Sequence, residues 1–419
     1  MNAQHSSRGW AALLVALLAL VTFPRPAAAQ DPPQEREPTT LEVLSYNVWG
    51  VPWVAPEVEP RLEEIARQIA DRKPDVVALQ ELWLPEHAEL VTARLEAAGY
   101  PYHHFFGPGS APDDEKGSGL YVASRLPITD VGFEAFTVGR TPHIPWHVDW
   151  MAHKGVGTVK VDTPAGPVVV ADTHLHATYL TGNYDFVQLS QALQLARRLV
   201  DADDAPLILV GDLNAPPDSL PVRALSLSAG LEPASETFDI DQILARPGSN
   251  LRLEPAGVDV LFDPEQPIHY ASAAGPEDGP LSDHPCIVAR YRLVPCETCA
   301  ASTTLATTTP TLDGEIAAQL DAERRAIDRI ALVSRAATFS LPFAALWLFR
   351  RRRDPLSTTT GRPRLRRALD LVAASLLLLV AVYSGYLGFH FAPKRLAEVD
   401  HEAATFSDHP AQLHAAITP

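Results

Sequence analysis

Polar side chains able to bind a cation or move a proton follow several apolar runs of this chain. The clearest example is ILVGDLNAPP at 208–217, in which an apolar run leads through a glycine to Asp212 and Asn214. An isolated Asp-x-Asn pair after a strand is usually only a turn, because both side chains bond to nearby backbone. The alternative is that the two groups hold a phosphate or a metal-bound water, and this requires matching groups elsewhere in the chain.

Matching groups do follow other apolar runs. They are an amide, carboxylates and histidines, at Asn47, Glu81, His174, His176, Asp259, Asp283 and His284. Carboxylate and amide oxygens suit a hard cation such as Mg²⁺, and a histidine beside them can move a proton near neutral pH. The sequence contains no Gly-x-Ser-x-Gly motif and no Walker-type phosphate loop. The pattern therefore predicts metal-assisted acid–base chemistry on a phosphate ester.

The elements that must position these groups are predicted to be strands and helices in alternation. Helical spacing of apolar residues predicts helices at 61–75 and 183–204. Strands are predicted at 41–50, 75–82, 118–127, 207–212, 257–263 and 286–293, with a hairpin over 156–177. Because several strands are joined by hairpins rather than by crossover helices, we expect an α/β fold of two mixed sheets packed face to face with helices outside. This domain is predicted to span 41–294.

Both ends of the chain contain segments typical of an exported membrane protein. Residues 1–29 carry a 14-residue apolar run followed by a small-x-small pattern, which predicts a secretory signal peptide ahead of a polar leader at 30–40; an uncleaved anchor is the alternative. Apolar runs in 330–349 and 368–391 are long enough to cross a bilayer. A core helix is the alternative for the first, since it contains Arg335.

The segments around these apolar runs predict which side of the membrane each part of the chain lies on. The loop 350–367 carries eight arginines and one aspartate, and short Arg-rich loops stay cytoplasmic. We therefore expect a hairpin of two transmembrane helices with an exported catalytic domain in front of it. A Thr-rich linker and helical stalk, 295–329, joins the two, and 392–419 forms a C-terminal tail. Cys296 and Cys299 could close a small disulfide on the exported side.

Charge separates the function classes. Residues 30–334 contain 21 basic and 45 acidic side chains, a net charge of −24. A nucleic-acid-binding surface needs lysines and arginines to neutralise phosphates. Nucleic acid is therefore an unlikely partner for this domain as a whole.

Six short motifs, LSYNVWG, LQELW, THLHA, GDLNAPP, GVDVLF and SDHP, occur in an order that resembles the endonuclease/exonuclease/phosphatase superfamily over 41–294. DWMAHKGVG at 149–157 and the run from ADTHLHA to ARRL further resemble its neutral sphingomyelinase branch. The resemblance implies a four-layer α/β sandwich and enzymes that need Mg²⁺. Membrane-bound animal members of that branch also end in two membrane spans, whereas the signal peptide is typical of secreted bacterial relatives.

The resemblance also implies metal and base roles. Glu81 would be the main Mg²⁺ ligand with Asn47 beside it, and Asp283 would touch the metal or the attacking water. His284 would be the general base that activates the water. Asp259 would hold the other ring nitrogen of His284 and fix its tautomer.

Further roles concern the substrate. Asp212 would position the attacking water, Asn214 would donate to the phosphoryl oxygens, and His174 would be a phosphate donor or an acid toward the leaving oxygen. Lys154 would bind the substrate phosphate, and Asp149 would tune Lys154 or meet a cationic head group; a solvated hairpin pair is the alternative for both. His176 is either a rim residue or a substrate contact.

These features together predict a Mg²⁺-dependent phosphodiesterase, anchored in a membrane, that hydrolyses sphingomyelin-like phospholipids to ceramide and a phosphorylated head group. Two alternatives stay open within the superfamily, an exported membrane-tethered nuclease and a phosphoinositide-type phosphatase, and the negative charge opposes the first. A third alternative is a catalytically inactive receptor or adhesion domain on a membrane tether.

Overall fold

The computed structural model describes residues 39–112, 115–200, 204–272, 275–297, 299, 309–351 and 363–408. The predicted signal peptide and nearly all of the leader lie outside these residues, as do most of the Arg-rich loop and the last part of the tail. The structural statements below concern the described residues.

Strands numbered in chain order supply two large mixed sheets and a small hairpin. They are β1 Thr39–Asn47, β2 Val76–Gln80, β3 Tyr102–Phe106, β4 Leu120–Ser124, β5 Ile128–Ala135, β6 Gly155–Thr163, β7 Gly166–His174, β8 Leu207–Asp212, β9 Glu232–Pro233, β10 Asp241–Arg246, β11 Leu251–Leu261, β12 Ile268–Ser272, β13 Gly275–Gly279 and β14 Cys286–Pro295. The helices are α1 Val58–Arg72, α2 Pro85–Ala97, α3 Asp185–Val200, α4 Leu220–Ala229, α5 Thr309–Arg351, α6 Pro363–Tyr386 and α7 Ala392–Asp408.

The first sheet has the strand order β11-β14-β1-β2-β4-β3. Its two parallel neighbours, β1 and β2, are in a register that aligns Asn47 with Gln80. The carboxyl ends of parallel neighbours lie at the same edge of a sheet. Asn47 and Glu81, which follows Gln80, are therefore delivered to one edge.

The second sheet has the order β5-β6-β7-β8-β10-β9 and repeats this arrangement. β7 and β8 are parallel and align His174 with Asp212, and β10 runs antiparallel to β8 with Asp241 opposite Asp212. A Cβ at Gly211 would lie 1.9 Å from the Thr173 carbonyl oxygen, so only glycine allows β7 and β8 to approach this closely at their ends.

Four layers result from the packing of these sheets. Apolar side chains of the two sheets form a core between them, while α1 and α2 cover the outer face of the first sheet and α3 and α4 that of the second. Helix α1 shows why the spacing predicted it, since Leu62, Ile65, Ala66 and Ile69 are its buried stripe. It ends before Pro74, with Lys73 in the left-handed conformation. The predicted sandwich of two mixed sheets flanked by helices is confirmed.

The C-terminal part of the chain forms two long helices followed by a third helix that returns to the α/β sandwich. α5 contains both the predicted stalk and the first apolar run in one helix of 43 residues, and α6 contains most of the second. Both are long and apolar enough to cross a membrane. A π-helical turn, Leu387–Phe391, joins α6 to α7. The segment predicted only as a tail thus begins with a helix.

Two ion pairs join these helices to the domain. Arg223 on α4 pairs with Glu315 near the start of α5, at 2.8 Å. Glu402 on α7 is buried and accepts hydrogen bonds from Ser190 and Arg197 of α3, both at 2.8 Å. The pair of long helices is therefore bonded to the α/β sandwich at both of its ends.

Candidate active site

The side-chain amide of Asn47 connects the strand ends of the two sheets. Asn47 Nδ2 donates to Glu81 Oε1 at 3.2 Å and to Asp212 Oδ2 at 3.0 Å, which links a residue of each sheet. In this orientation the amide bridges the two carboxylates. Glu81 and Asn214 have φ values of 62° and 49°, which are unusual for residues with a side chain and are often retained at functional sites.

His284 lies beside this bridge and is held by an aspartate. Its Nδ1 is 2.8 Å from Asp241 Oδ2, and its Nε2 is 3.7 Å from Asp212 Oδ2 and 3.9 Å from Asp283. Burial alone would lower the pKa of His284, but the hydrogen bond to Asp241 and the nearby carboxylates raise this pKa to about 10. The ring is thus fixed with Nε2 facing the carboxylates.

The prediction that Asp259 holds the His284 ring is wrong. Asp259 lies on β11, where it pairs with Arg72 at 2.5 Å and Arg290 at 3.0 Å and is partly exposed. β11 pairs with β14, whereas β10 pairs with β8, so the residue that reaches His284 is Asp241. The sequence did contain a signal for it, because Asp241 opens the run DQILA just as Asp259 sits in GVDVLF.

Glu81 and its neighbours could hold a divalent cation. Glu81 Oε2 is buried and has no hydrogen-bond partner among the described residues, and burial raises the pKa of Glu81. Asp212 is fully buried, and burial together with the charge of Asp241 raises its pKa to about 7. A bound cation would favour the charged form of these two carboxylates, which burial otherwise disfavours.

A second grouping of possible ligands is Asp212, Asp241 and His284, whose ligand atoms lie within 4.8 Å of one another. In this grouping His284 Nδ1 already bonds Asp241. We consider Glu81 and Asp212 the better site for a hard cation, because a His–Asp hydrogen bond orients the ring for proton transfer and Mg²⁺ prefers oxygen ligands.

Lys154 is connected to the same carboxylates through His174, whose Nε2 lies 3.5 Å from Asp212 Oδ2 and 3.9 Å from Glu81 Oε1. Its ammonium donates to Asp149 Oδ2 at 2.9 Å, to His174 Nε2 at 3.0 Å and to the Leu175 carbonyl at 2.7 Å, so all three protons are used. Burial and the charge of Lys154 lower the pKa of His174 well below its usual value, so this ring is neutral. Contact between Lys154 and a substrate phosphate would require one of these bonds to be exchanged.

Asp149 and His176 lie deeper than a solvent-exposed rim. Burial opposes ionisation of Asp149, but Lys154 and His176 outweigh it and lower the Asp149 pKa. His176 is buried, lies 3.4 Å from Asp149 and stacks on Tyr184 with ring centroids 4.3 Å apart. Burial lowers the pKa of His176 to about 4. The structure therefore places His176 in the interior, in contact with the Asp149 carboxylate.

Two glutamines of α3 fix the strand ends behind these groups. Gln191 Oε1 accepts from the His176 amide, and Gln188 Nε2 donates to the carbonyls of His176 and Asn214, each at 2.8 Å. Asn214 donates its amide to the Leu175 carbonyl at 3.0 Å. These polar residues on an otherwise apolar helix face have no motif of their own, and the sequence did not reveal them.

A fully buried arginine fixes the other side of the site. Arg61 donates to the carbonyls of Val48, Trp49 and Leu281 at 2.6–3.0 Å. It thereby ties the segment after Asn47 to the segment before Asp283 and His284. Arg61 was expected only as part of an amphipathic helix, and its role depends on contacts between distant parts of the chain.

The model of the Endonuclease/Exonuclease/phosphatase family matches residues 44–284. Among curated proteins, the chain is 29% identical to "Putative neutral sphingomyelinase" of Drosophila melanogaster over 61% of this chain and 62% of that one. It is 32% identical to "Inositol phosphosphingolipids phospholipase C" of Schizosaccharomyces pombe over 43% and 42%. It is 27% identical to human "Sphingomyelin phosphodiesterase 2" over 46% and 45%. The chain thus matches 42–62% of the length of these three relatives.

Solved structures with a similar fold include a sphingomyelinase C from Streptomyces griseocarneus, with a TM-score of 0.48 and 23% identity over 60% of this chain and 99% of that one. A beta toxin from Staphylococcus aureus with bound magnesium ions has a TM-score of 0.48 and 16% identity over 61% and 100%.

Proposed function

The chain belongs to the endonuclease/exonuclease/phosphatase family, and from this premise we propose that it is a Mg²⁺-dependent phosphodiesterase that hydrolyses sphingolipids. The products would be ceramide and a phosphorylated head group. The observation that carries the proposal is that a buried Glu81 carboxylate oxygen, without a hydrogen-bond partner among the described residues, and the His284–Asp241 pair lie together where the strand ends of the two sheets meet.

Glu81 and Asp212 are the residues we assign to the cation, with Asn47 holding their carboxylates together and Asp283 at the mouth of the site. A bound Mg²⁺ would polarise the substrate phosphate and, by offsetting the carboxylate charge, lower the pKa of His284 toward the range in which a base is useful. The carboxylates of Glu81 and Asp212 both accept a hydrogen bond from the Asn47 amide. They are therefore close together, which supports the proposal that they share one cation.

His284 is the proposed base. In the proposed reaction its Nε2 accepts a proton from water as the water oxygen attacks phosphorus and the bond from phosphorus to the ceramide oxygen breaks. Asp241 would stabilise the resulting imidazolium through the bond to Nδ1, and Asp212 would position the water. Asn214 is the proposed donor to the phosphoryl oxygens.

Lys154 and His174 are the proposed source of positive charge and of the proton that the ceramide oxygen gains. One proton already lies between Lys154 Nζ and His174 Nε2, so the neutral His174 ring can act as an acid only by drawing on this ammonium. Asp149 is the proposed partner of Lys154 and of a cationic head group, and His176 is proposed to position Asp149.

Several observations favour sphingolipids over nucleic acid. The relatives carry names that specify sphingomyelin or inositol phosphosphingolipids, and the charge of 30–334 is −24. The two apolar helices support anchoring in the membrane that contains the substrate. We propose that the catalytic domain is exported and that the Arg-rich loop is cytoplasmic.

The test is to assay the purified full chain in mixed micelles with radiolabelled sphingomyelin, inositol phosphosphingolipid, phosphatidylcholine and DNA. We expect sphingolipid turnover that requires Mg²⁺ and disappears in chelator. Glu81→Gln should abolish it, while Glu63→Gln on the exposed face of α1 should leave it unchanged. Full activity in chelator would overturn the metal assignment, and faster cleavage of DNA than of any lipid would favour the nuclease.

A further inference from the structure

The segment 142–151, which carries Asp149, is bonded to the second apolar helix. The hydroxyls of Tyr383 and Tyr386 on α6 donate to the backbone carbonyls of His143 and Pro142, at 2.6 and 2.7 Å. The His143 ring stacks on Phe391 with centroids 4.8 Å apart and planes 10° apart. This segment, called the rim segment below, therefore lies at the level of these two tyrosines.

The position of the tyrosines along α6 gives that level. Arg367 is the last arginine before the apolar run, and Tyr386 follows it by 19 residues. At a rise of about 1.5 Å per residue this is about 28 Å, close to the roughly 30 Å thickness of the hydrocarbon core. Tyrosines are enriched at the boundary between hydrocarbon and water. If α6 crosses a bilayer, the rim segment lies at the boundary nearest the catalytic domain.

Large apolar side chains are exposed on the rim segment and on the loop next to it. Trp146 is 71% exposed, Val148 46% and Met151 48%, and Leu180 is fully exposed. We call these four residues the rim patch. Exposed apolar residues that cluster beside a site are typical of surfaces that meet a partner or a membrane.

One buried histidine holds the two parts of the rim patch side by side. His147 stacks on Tyr179 with centroids 4.1 Å apart, and its Nε2 lies 3.1 Å from Thr181 Oγ1. Leu180 lies between these two partners, and Trp146 and Val148 flank His147 in the chain. The patch is thus a constructed surface with one orientation relative to α6.

We propose that the rim patch inserts into the leaflet nearest the catalytic domain, in the same membrane that α5 and α6 cross. The bonds from Tyr383 and Tyr386 support this occupant, because they fix the patch at the depth of the lipid head groups. Asp149 and Lys154 follow Trp146 within eight residues, so a lipid phosphate reaches them without leaving its leaflet. For the identity of the lipid, this inference rests on the proposed function.

The insertion can be measured without turnover. The full chain is reconstituted into phosphatidylcholine vesicles whose acyl chains are brominated near the head group, and tryptophan fluorescence is compared with unbrominated vesicles. We expect the wild type to lose more emission than Trp146→Phe. The control is the double variant Trp146→Phe/Tyr102→Trp, which restores the number of tryptophans by placing one where the start of β3 pairs with the end of β4. This control should show no more quenching than Trp146→Phe alone.

Equal quenching in the wild type and Trp146→Phe would overturn the proposal. A second result would also overturn it: the wild type is a dimer in detergent, Trp146→Ser is a monomer, and the two show the same quenching in vesicles. The patch would then be covered by a second copy of the chain.

A turnover measurement separates this inference from the proposed function. Leu180→Ser should lower hydrolysis of sphingomyelin in vesicles about tenfold, because it removes apolar surface from the leaflet. It should leave hydrolysis of a small soluble choline phosphodiester unchanged, and Tyr102→Ser should leave both unchanged. Equal rates of Leu180→Ser and wild type on vesicles would overturn insertion. A wild type that hydrolyses neither substrate would instead refute the phosphodiesterase.

Discussion

The carboxylate half of the site stands on strand ends, whereas the lysine half depends on a loop. The carboxylate half consists of five residues at the ends of five strands. Asn47, Asp212 and Asp241 lie on β1, β8 and β10. Glu81 directly follows β2, and His284 precedes β14. The lysine half consists of Lys154, Asp149, His174 and His176. Its Asp149 lies on a short 3₁₀ turn, Val148–Met151, and is held by Lys154 and by the backbone of Ala177.

The two halves differ in what keeps them in place. Strand pairing fixes the first, since a shift of one residue would turn its side chains to the other face. In the second, strand pairing holds only His174, at the end of β7, while the segments that carry Asp149 and His176 are fixed by aromatic stacking, by glutamines of α3 and by α6. In the proposed mechanism the groups that act on the water and the phosphate thus lie at strand ends, whereas Asp149, the proposed contact for the head group, lies on a segment that is also bonded to a candidate membrane helix. This arrangement suits chemistry that is constant and a substrate that arrives from a lipid surface.

The largest expected effect lies in the carboxylate half. Asp241→Asn should lower kcat by about 10²–10⁴, because His284 loses the partner that fixes its tautomer and stabilises its charged form. Asp259→Asn is the matched control and should change kcat by less than about twofold, since its ion pairs are partly exposed.

A Mg²⁺ titration of both variants distinguishes orientation from metal binding. An unchanged Mg²⁺ requirement in Asp241→Asn supports the orienting role. A much weaker affinity for Mg²⁺ with normal kcat at saturation would instead make Asp241 a metal ligand.

The lysine half should respond less. Lys154→Ala should lower kcat/KM by about 10–100-fold, because a charge-assisted contact contributes about 1.5–3 kcal/mol. Lys154→Arg should rescue poorly, since a planar guanidinium does not reproduce the three bonds of an ammonium. The control is Lys160→Ala on β6. Asp149→Asn should impair choline lipid more than a soluble phosphodiester without a cation, and equal losses would make Asp149 only a structural partner of Lys154.

A substitution on α7, far from the candidate active site, should affect the lysine half alone. Glu402→Gln weakens the buried contact of α7 with α3, at a cost of about 1–3 kcal/mol, and α3 carries the glutamines that hold His176. We expect faster proteolysis of α7 and a small decrease in lipid turnover with an unchanged Mg²⁺ requirement. Asp400→Asn, which alters an exposed ion pair on the same helix, is the control. Altered Mg²⁺ dependence would mean that the two halves are not independent.

The smallest effect is a pH dependence of stability in chelator. The folded-state pKa of His284 is raised to about 10, above the usual 6.5, so its contribution to stability is complete below about pH 6.5 and is lost as the pH rises toward 10. The wild type should therefore lose melting temperature over this range by a few degrees more than His284→Gln. Parallel curves for the two proteins would show that His284 is not held as a cation in the metal-free state.

The sequence predicted the sandwich because its strands and helices carry strong apolar periodicity. It named Asn47, Glu81, His174 and Asp212, which the structure brings together because the carboxyl ends of parallel strands lie at the same edge; their roles stay predictions. It did not identify Asp241 as the partner of His284. Asp241 opens one apolar run and Asp259 lies within a similar one, and only the pairing of β10 with β8 shows which of the two lies at the site. It left His176 as either a rim residue or a substrate contact, because no local pattern records the stacking on Tyr184. Helix α7 was missed because its buried face packs against distant parts of the chain, α5 and α3, which no local pattern records.

Attachment at both ends of the membrane hairpin has a kinetic consequence. A domain on one flexible stalk could swivel and sweep a circle whose radius is set by the stalk. Here the Arg223–Glu315 and Arg197–Glu402 pairs leave the domain no such freedom. If the chain is the membrane-anchored lipid hydrolase proposed above, its reach is the width of its own footprint, and the supply of substrate would depend on how fast lipids diffuse laterally beneath it rather than on the length of any linker.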